Sequence, residues 1–331
     1  MIVDIHAHYA PQAMLDRISR RAHEFPSVEL LRKDDQYRLA FAGGQPTRPV
    51  SPKLRDAEQR LAWMTEQDID HQVVGGWLDS FGYELPAEEG LTWSRFLNEE
   101  MLQATSQRPE LTPLATVPLQ DGRLAAKVLE EAIEAGFVGA MIGTQPKGGS
   151  GNLDDPDLDP FWEAASRLEA VIYIHPMFGC GDPRLLDYDM INAVGRGLDT
   201  TTAVARLLFS GHFTRFAGAE VVLSHGGGAL PFMLGRLVRN VQAHPDQYAD
   251  PREGYSRLWF DSVLFEPAAL RFLCETAGPE RVMLGSDYPF PIGDPKPLRV
   301  VHECAFSQPV ESAILGGTAQ RLFRIGSCGC R

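Results

Sequence analysis

The sequence predicts an α/β chain whose strands close into a (β/α)8 barrel of the TIM type. Three observations carry this expectation. Short apolar runs alternate with helical patterns along the chain, as in right-handed βαβ units around a parallel sheet. There are eight such runs, which suits a closed barrel better than an open doubly wound sheet. The 331 residues exceed the roughly 250 that a complete barrel needs, which leaves room for one inserted segment. Residues 1–331 are therefore expected to form a single domain.

The predicted strands are Ile2–Ile5, Gln72–Leu78, Pro113–Leu119, Phe137–Gly143, Val171–His175, Val221–His225, Trp259–Leu264 and Val282–Gly285. All but the mixed Trp259 run are rich in Val, Ile or Leu, as parallel strands buried on both faces should be. Helical stripes lie between them. Leu54, Ala57, Leu61 and Met64 step by three and four. Leu124, Val128, Ala132 and Ala135 repeat the pattern, as do Phe161, Ala164, Ala165 and Leu168 after Asp155-Pro156-Asp157. Leu230–Val241, Ala268–Cys274 and Glu311–Phe323 are further predicted helices. Residues 10–53 break the alternation between the first strand and the first barrel helix. Within them Tyr37–Phe41 alternates and precedes Gly43-Gly44, so it reads as a strand with a turn. This stretch is expected to be a small insertion over the barrel mouth. The Pro- and Gly-rich segments 145–160 and 288–298 read as long strand-to-helix loops, where such a barrel keeps its active site.

Composition narrows the function. The hydrophobic fraction is 44% and the charged fraction 23%, ordinary for a protein with a substantial core. A net charge of -13 argues against nucleic acid and anionic membranes as partners. It leaves an anionic substrate open, because a few arginines can reverse the field inside a pocket. Met1 leads directly into an apolar strand run without a secretory-type n-region, and no stretch has the roughly 18 apolar residues of a membrane span. The five cysteines are scattered and odd in number, so a reducing cytoplasm is expected rather than a disulfide framework. Cys328 and Cys330 read as a frayed terminus.

The chemistry concentrates at strand ends. His6-Ala7-His8 closes the first strand, and alternate strand residues point the same way, so two imidazoles project together. Zinc takes imidazole nitrogen readily, which makes this pair a two-point chelate. His175 ends the fifth strand, His225 the sixth and Asp287 the eighth, each before a Gly or Pro turn. All strand C-termini of a barrel meet at one face, so the five groups converge there and predict a metal site. His23, His71, His212, His244 and His302 lack this placement and read as structural or surface residues. Asp4 shares the parity of His6 and His8 one layer deeper. It is either an acceptor that orients a ligand or a buried structural acid. The fourth strand holds no lysine, so one metal is expected rather than a pair bridged by a carbamylated lysine, and Lys147 reads as solvent-exposed.

The His6-Ala7-His8, His175-Pro176, Ser224-His225-Gly226-Gly227-Gly228 and Gly285-Ser286-Asp287-Tyr288-Pro289-Phe290-Pro291 segments resemble the amidohydrolase-related family, in particular its decarboxylase branch. The resemblance runs from Met1 to about Phe323. It implies that His6, His8, His175 and Asp287 hold one divalent ion, zinc first, with manganese or iron also compatible. It implies that His225 is the catalytic histidine, working beside Asp287. Arg236 matches an arginine that reaches across a homodimer interface to the substrate carboxylate. Arg48 matches a second substrate arginine, and Phe290 an aromatic residue lining the pocket. Two departures touch substrate contacts. Ser51 replaces a further arginine, and Met177-Phe178 stands where a tryptophan follows the His-Pro pair.

A metal site with an open position can activate water or stabilise charge as CO2 leaves. Paired arginines recognise carboxylates bidentately and tip the choice. The expected activity is metal-dependent, non-oxidative decarboxylation of an aromatic or muconate-like carboxylic acid. The alternative is a hydrolase or hydratase acting on a related lactone or unsaturated acid. A non-catalytic binding barrel is the third reading, and the intact ligand set weighs against it.

Overall fold

A computed structural model describes residues 1–177 and 181–326. Phe178, Cys328 and Cys330 lie outside the described residues. In chain order the strands are β1 (Val3–Tyr9), β2 (Val28–Lys33), β3 (Gln36–Phe41), β4 (His71–Gly76), β5 (Leu111–Pro113), β6 (Gly139–Gly143), β7 (Val171–His175), β8 (Glu220–Leu223), β9 (Trp259–Asp261) and β10 (Val282–Met283). β2 and β3 form an antiparallel hairpin, and the other eight are the barrel strands.

The barrel strands pair in parallel as two arcs, β1-β4-β5 and β10-β9-β8-β7-β6. Two seams join the arcs. Just beyond β5, Ala115 bridges Ala140, with Ala115 N donating to Gly139 O and Met141 N to Ala115 O, both at 2.9 Å. At the other seam Ile5 N meets Leu284 O at 2.9 Å, Asp287 N meets His6 O at 2.8 Å and His8 N meets Tyr288 O at 2.8 Å. The first and last strands therefore close on the residues expected to carry chemistry. Val3, Ile5, Val73, Ile172, Val222 and Met283 are among the fully buried side chains of the central core.

Several elements differ from expectation for identifiable reasons. The third strand was expected at Pro113–Leu119, but its regular part is Leu111–Pro113. Pro113 and Pro118 lack the N–H a ladder needs, so pairing beyond Pro113 reduces to Leu114 N on Val74 O at 2.9 Å and the Ala115 bridge. The Leu54–Met64 pattern is two helices, Pro52–Arg55 and Ala57–Glu66. Asp56 separates them, and its carboxylate caps the second by accepting from Glu58 N and Gln59 N. The final segment is likewise interrupted at Ala313–Gly317, where Gly316 is extended and lies against Met1 O. Two long helices were not anticipated. Ala87–Thr105 is buried over most of its circumference, between the barrel and the inserted segment, with an exposed stripe only at Glu88, Arg95, Glu99 and Gln103, so its apolar residues do not form one narrow stripe. Arg196–Phe209 carries the Thr200-Thr201-Thr202 run, whose hydroxyls bond back to the carbonyls of Arg196, Gly197 and Leu198.

Residues 10–53 comprise the helix Gln12–Arg21, a 3-10 turn and the β2–β3 hairpin. The predicted strand near Tyr37 is present. Its partner β2 was missed because most of its residues remain at least partly exposed. Met14, Leu15, Ile18, Phe25, Leu39 and Phe41 form a second apolar cluster with Trp77, Trp93, Phe96 and Leu97. The Phe25 ring stands 5.0 Å from Trp93 and 5.2 Å from Phe96. The segment is thus anchored on the side of the helix after β4, and its Arg48 reaches the wall of the main cavity.

Candidate metal centre and active site

The end of β1 places His6 and His8 on one side of the strand, as the alternation requires, and both are fully buried. His175 at the end of β7 approaches them from across the barrel, and Asp287 from the neighbouring segment beyond β10. His6 Nε2 and His8 Nε2 stand 3.3 Å and 3.2 Å from Asp287 Oδ1, and 3.3 Å from each other. His225 Nε2 is 3.4 Å from Asp287 Oδ2. Ligand atoms of His6, His175, His225 and Asp287 all lie within 4.8 Å of one another. Five donors therefore share one small volume, with His8 on one side of Asp287 and His225 on the other.

Hydrogen bonds on the outer ring nitrogens turn the Nε2 atoms inward. His6 Nδ1 donates to Asp261 Oδ2 at 2.6 Å, His8 Nδ1 to Gly76 O at 3.1 Å and His175 Nδ1 to Pro176 O at 2.8 Å. Once Nδ1 carries the proton, Nε2 of a neutral imidazole is a lone pair. His175 Nε2 and Asp287 Oδ1 are buried without a hydrogen-bond partner. Acceptor nitrogens 3.3 Å apart repel unless a cation or proton lies between them. Orphaned acceptors aimed at one point, each braced from behind, fit a divalent ion.

The titration behaviour follows from the same packing. Burial pushes His8 down and His175 well below its usual value, so both favour the neutral form that ligates. Burial opposes the charged form of His6 too, but Asp287 and Asp261 outweigh it and raise the imidazole to about 10. Burial would raise Asp287, yet His6 and the hydrogen bonds of His225, His6 and His8 hold it well below the usual carboxylate range.

Asp261 was not foreseen. It sits at the end of β9, fully buried, and accepts five hydrogen bonds. Its Oδ2 takes His6 Nδ1, Tyr173 Oη at 2.9 Å and His225 N at 2.9 Å. Its Oδ1 takes Gly226 N at 2.8 Å and Val263 N at 3.1 Å. One carboxylate thus orients the His6 imidazole and pins the turn that presents His225. That turn needs pinning, because His225 has a φ of 52° and Asp287 a φ of 60°, both left-handed and costly for residues with a Cβ. Gly285 leaves the room for this arrangement, since a Cβ there would lie 3.0 Å from the Cβ atoms of both His6 and Asp261.

Asp4 braces backbone rather than a ligand ring. Its Oδ1 accepts His6 N and Ser286 N at 3.0 Å, and its Oδ2 accepts Gln72 Nε2 at 2.8 Å and Ser286 Oγ at 2.5 Å. The orienting role that Asp4 was a candidate for belongs to Asp261. Below lies the fully buried Arg60, which donates to Gln72 Oε1 and His8 O between the rings of Tyr9 and Tyr288.

The donor cluster opens into a cavity of about 670 Å³ lined by His175, His225, Asp287, Phe290, Arg48 and Arg196, among others. Phe290 stands 5.0 Å from the His8 ring, and the Arg48 guanidinium lies 5.8 Å over Phe290.

The amidohydrolase family model matches residues 3–325. The chain belongs to the amidohydrolase family. It is 32% identical over 280 residues to 2-amino-3-carboxymuconate-6-semialdehyde decarboxylase of Dictyostelium discoideum, covering 82% of this chain and 77% of that protein. The structure of 5-carboxyvanillate decarboxylase from Sphingomonas paucimobilis matches with a TM-score of 0.80 at 28% identity, over 98% of this chain and 99% of the other. A 5-carboxyvanillate decarboxylase from Novosphingobium aromaticivorans, with bound manganese, matches in fold with a TM-score of 0.79 at 20% identity, over 98% and 97% of the two chains.

The arginines of this amidohydrolase divide in an unexpected way. Arg48 lines the cavity, but it is held bidentately by Asp79, with Nε and Nη2 each 3.0 Å from a carboxylate oxygen. Arg236 is exposed on the helix Leu230–Ala243 and does not line the cavity of its own chain. Arg196, absent from the expected set, does line it. Of the five histidines set aside, none lines the cavity. His71 sits at the start of β4 with its Nε2 on Thr112 Oγ1 at 2.8 Å. Lys147 pairs with Asp157 at 2.7 Å, and β6 carries no lysine.

Proposed function

We propose that this amidohydrolase is a metal-dependent, non-oxidative decarboxylase of an aromatic or muconate-like carboxylic acid, with the whole chain acting as one barrel domain. The observation that carries the reading is the set of buried, braced acceptors around Asp287, opening into a cavity that holds arginines. The decarboxylase relatives support the same class of reaction.

His6, His8, His175 and Asp287 are the residues we assign to a single divalent ion. Zinc is the first candidate, with manganese and iron as the ions to test against it. When bound, the ion supplies a Lewis acid that draws electron density from substrate oxygens. The chain's own residues do the rest. Phe290 offers a flat apolar wall to a conjugated acid, and Arg48 an anion-binding group above it. The bond between ring or chain carbon and carboxyl carbon breaks, CO2 leaves, and the electron pair stays on carbon. His225, 21% exposed at the cavity wall, is placed to hold a proton beside Asp287 and deliver it to that carbon.

The active unit is read as a homodimer. Phe232, 83% exposed, lies on the same helix as Arg236, so this helix offers a partner both an apolar group and a cation. The substrate is a small carboxylic acid, and nucleic acid and membranes are not partners in this reading. The buried thiols Cys274 and Cys304 suit a cytoplasmic setting. No helix among the described residues is long and apolar enough to cross a membrane.

The test is to incubate metal-loaded protein with a panel of aromatic and muconate-like acids and follow CO2 and product mass. The expected product has lost CO2, and chelation should abolish its formation. A product that has instead gained the elements of water would establish the hydrolase or hydratase alternative.

A further inference from the structure

The cavity wall holds two arginines in opposite electrostatic states. Arg48 is matched by the Asp79 carboxylate, which together with nearby Asp189 outweighs burial and raises its pKa. Arg196 has no carboxylate within 4.0 Å among the described residues. Its Nη1 donates to Pro176 O at 3.1 Å and Met177 O at 2.7 Å, the two carbonyls directly after His175. Carbonyl oxygens fix the position of a guanidinium but bring no countercharge into contact with it. A planar fork still has donors to spare after two such bonds.

The acid nearest in sequence does not serve as counter-ion. Asp199, one turn further along the same helix, is buried and already committed to Thr144 Oγ1, Gln145 Nε2 and Met177 N. Between them Arg196 and Asp199 clamp the His175-Pro176-Met177 turn to the helix Arg196–Phe209. Burial opposes the charge on Arg196 and the neighbouring Arg48 adds to the opposition, and together they outweigh the support of the Asp79, Asp287 and Asp199 carboxylates, none of which pairs with it directly. A half-buried cation in that condition gains more from an incoming anion than one already paired.

We propose that Arg196 is a specificity-determining residue that binds a second anionic substituent of the substrate, a carboxylate distinct from the one that leaves. The proposal deepens the decarboxylase reading and rests on it for the placement of the first carboxylate. The preferred substrates are then dicarboxylic acids, with Arg196 as the cation that selects them and Arg48, neutralised by Asp79, as the lesser contributor.

The test uses metal-loaded protein and equilibrium binding by calorimetry, so it does not depend on turnover. The probes are benzoate and the three benzene dicarboxylates, against wild type, Arg196→Gln and Arg196→Lys. At least one dicarboxylate should bind wild type more tightly than benzoate. In Arg196→Gln that advantage should shrink by about 10- to 100-fold, the worth of one charge-assisted pair, and Arg196→Lys should restore part of it. Loss of the clamp on the His175 turn alone would weaken all probes together and leave the ratio unchanged. That result, or a wild type with no preference for any dicarboxylate, overturns the proposal. If the ratio behaves as expected but none of the aromatic and muconate-like acids of the activity test yields CO2, the decarboxylase reading fails while Arg196 stands as the residue that selects a second carboxylate on the ligand.

Discussion

Asp261→Asn is the most informative single change to the metal centre, because it preserves shape and removes one charge. The carboxylate accepts three hydrogen bonds at Oδ2 and two at Oδ1. An amide has one accepting oxygen, and its NH2 must face one of those sets. If the NH2 takes the Oδ1 side, Gly226 N and Val263 N lose their acceptor. If it takes the other side, His6, Tyr173 and His225 N compete, and only the Tyr173 hydroxyl can rotate away. At least two buried donors go unpaired either way, at about 1–3 kcal/mol each, so a loss of about 2–6 kcal/mol in stability is expected. The ion should suffer as well, since the carboxylate behind a ligand histidine is worth about 10- to 100-fold in metal affinity. Thermal unfolding and competition with a chromogenic chelator measure the two effects. Tyr173→Phe is the control. It removes one donor to Asp261 without touching His6, so it should leave affinity near wild type. Metal affinity within about threefold of wild type in Asp261→Asn would refute the idea that Asp261 sets the basicity of His6.

Two further substitutions separate roles that the geometry leaves adjacent. His225→Ala is expected to retain one equivalent of metal by elemental analysis while losing roughly 10²–10⁴-fold in rate. His8→Ala should lose the metal, and the opposite pattern would exchange the two assignments. Mixing Arg236→Ala with His225→Ala chains tests the shared site. In a hybrid dimer one site carries both defects and the other neither, so random mixing should restore about one site in four. No recovery where hybrids demonstrably form would confine Arg236 to its own protomer.

Much of this site was legible because a barrel converts a one-dimensional pattern into a place. A polar residue that ends an apolar run and precedes Gly or Pro lies at the C-terminal face, so His6, His8, His175, His225 and Asp287 could be grouped before any distance was known. Asp261 also ends a strand, but Ser262 and Val263 follow it rather than a Gly or Pro turn, and it lies in the Trp259 run, whose mixed composition made the strand itself hard to see. A buried Asp inside that strand was the available signal. Arg196 escaped for a different reason. It enters from a helix rather than a strand end, and the Thr-rich sequence that follows has little helical periodicity. Arg236 shows the converse limit. Its motif is legible, but its position on the exposed face of Leu230–Ala243 gives it no work in one chain. The surface on which the inserted segment docks, the helix Ala87–Thr105, was hidden in the sequence because it is buried both against the barrel and against that segment, which leaves only a narrow exposed stripe.

The metal centre and the closure of the barrel are one event. His6 and His8 belong to the first strand and Asp287 follows the last, and the seam bonds Asp287 N to His6 O and His8 N to Tyr288 O bring them together. No pair of these residues from opposite ends of the chain is close until the barrel has shut. The unfolded chain therefore offers the ion only the adjacent His6-Ala7-His8 pair, a far weaker site than the closed cluster. An ion that binds the folded state alone stabilises it by mass action, by about 4 kcal/mol at a free concentration 1,000 times its Kd. The melting temperature should then climb with the logarithm of free metal and fall on chelation. His225→Ala, whose residue lies outside the ligand set assigned above, should keep that dependence. Asp287→Ala, which removes a ligand from the seam, should lose it. A melting temperature indifferent to metal in the wild-type chain would mean that the cluster forms and closes without an ion, with His6 protonated between Asp261 and Asp287 in its place.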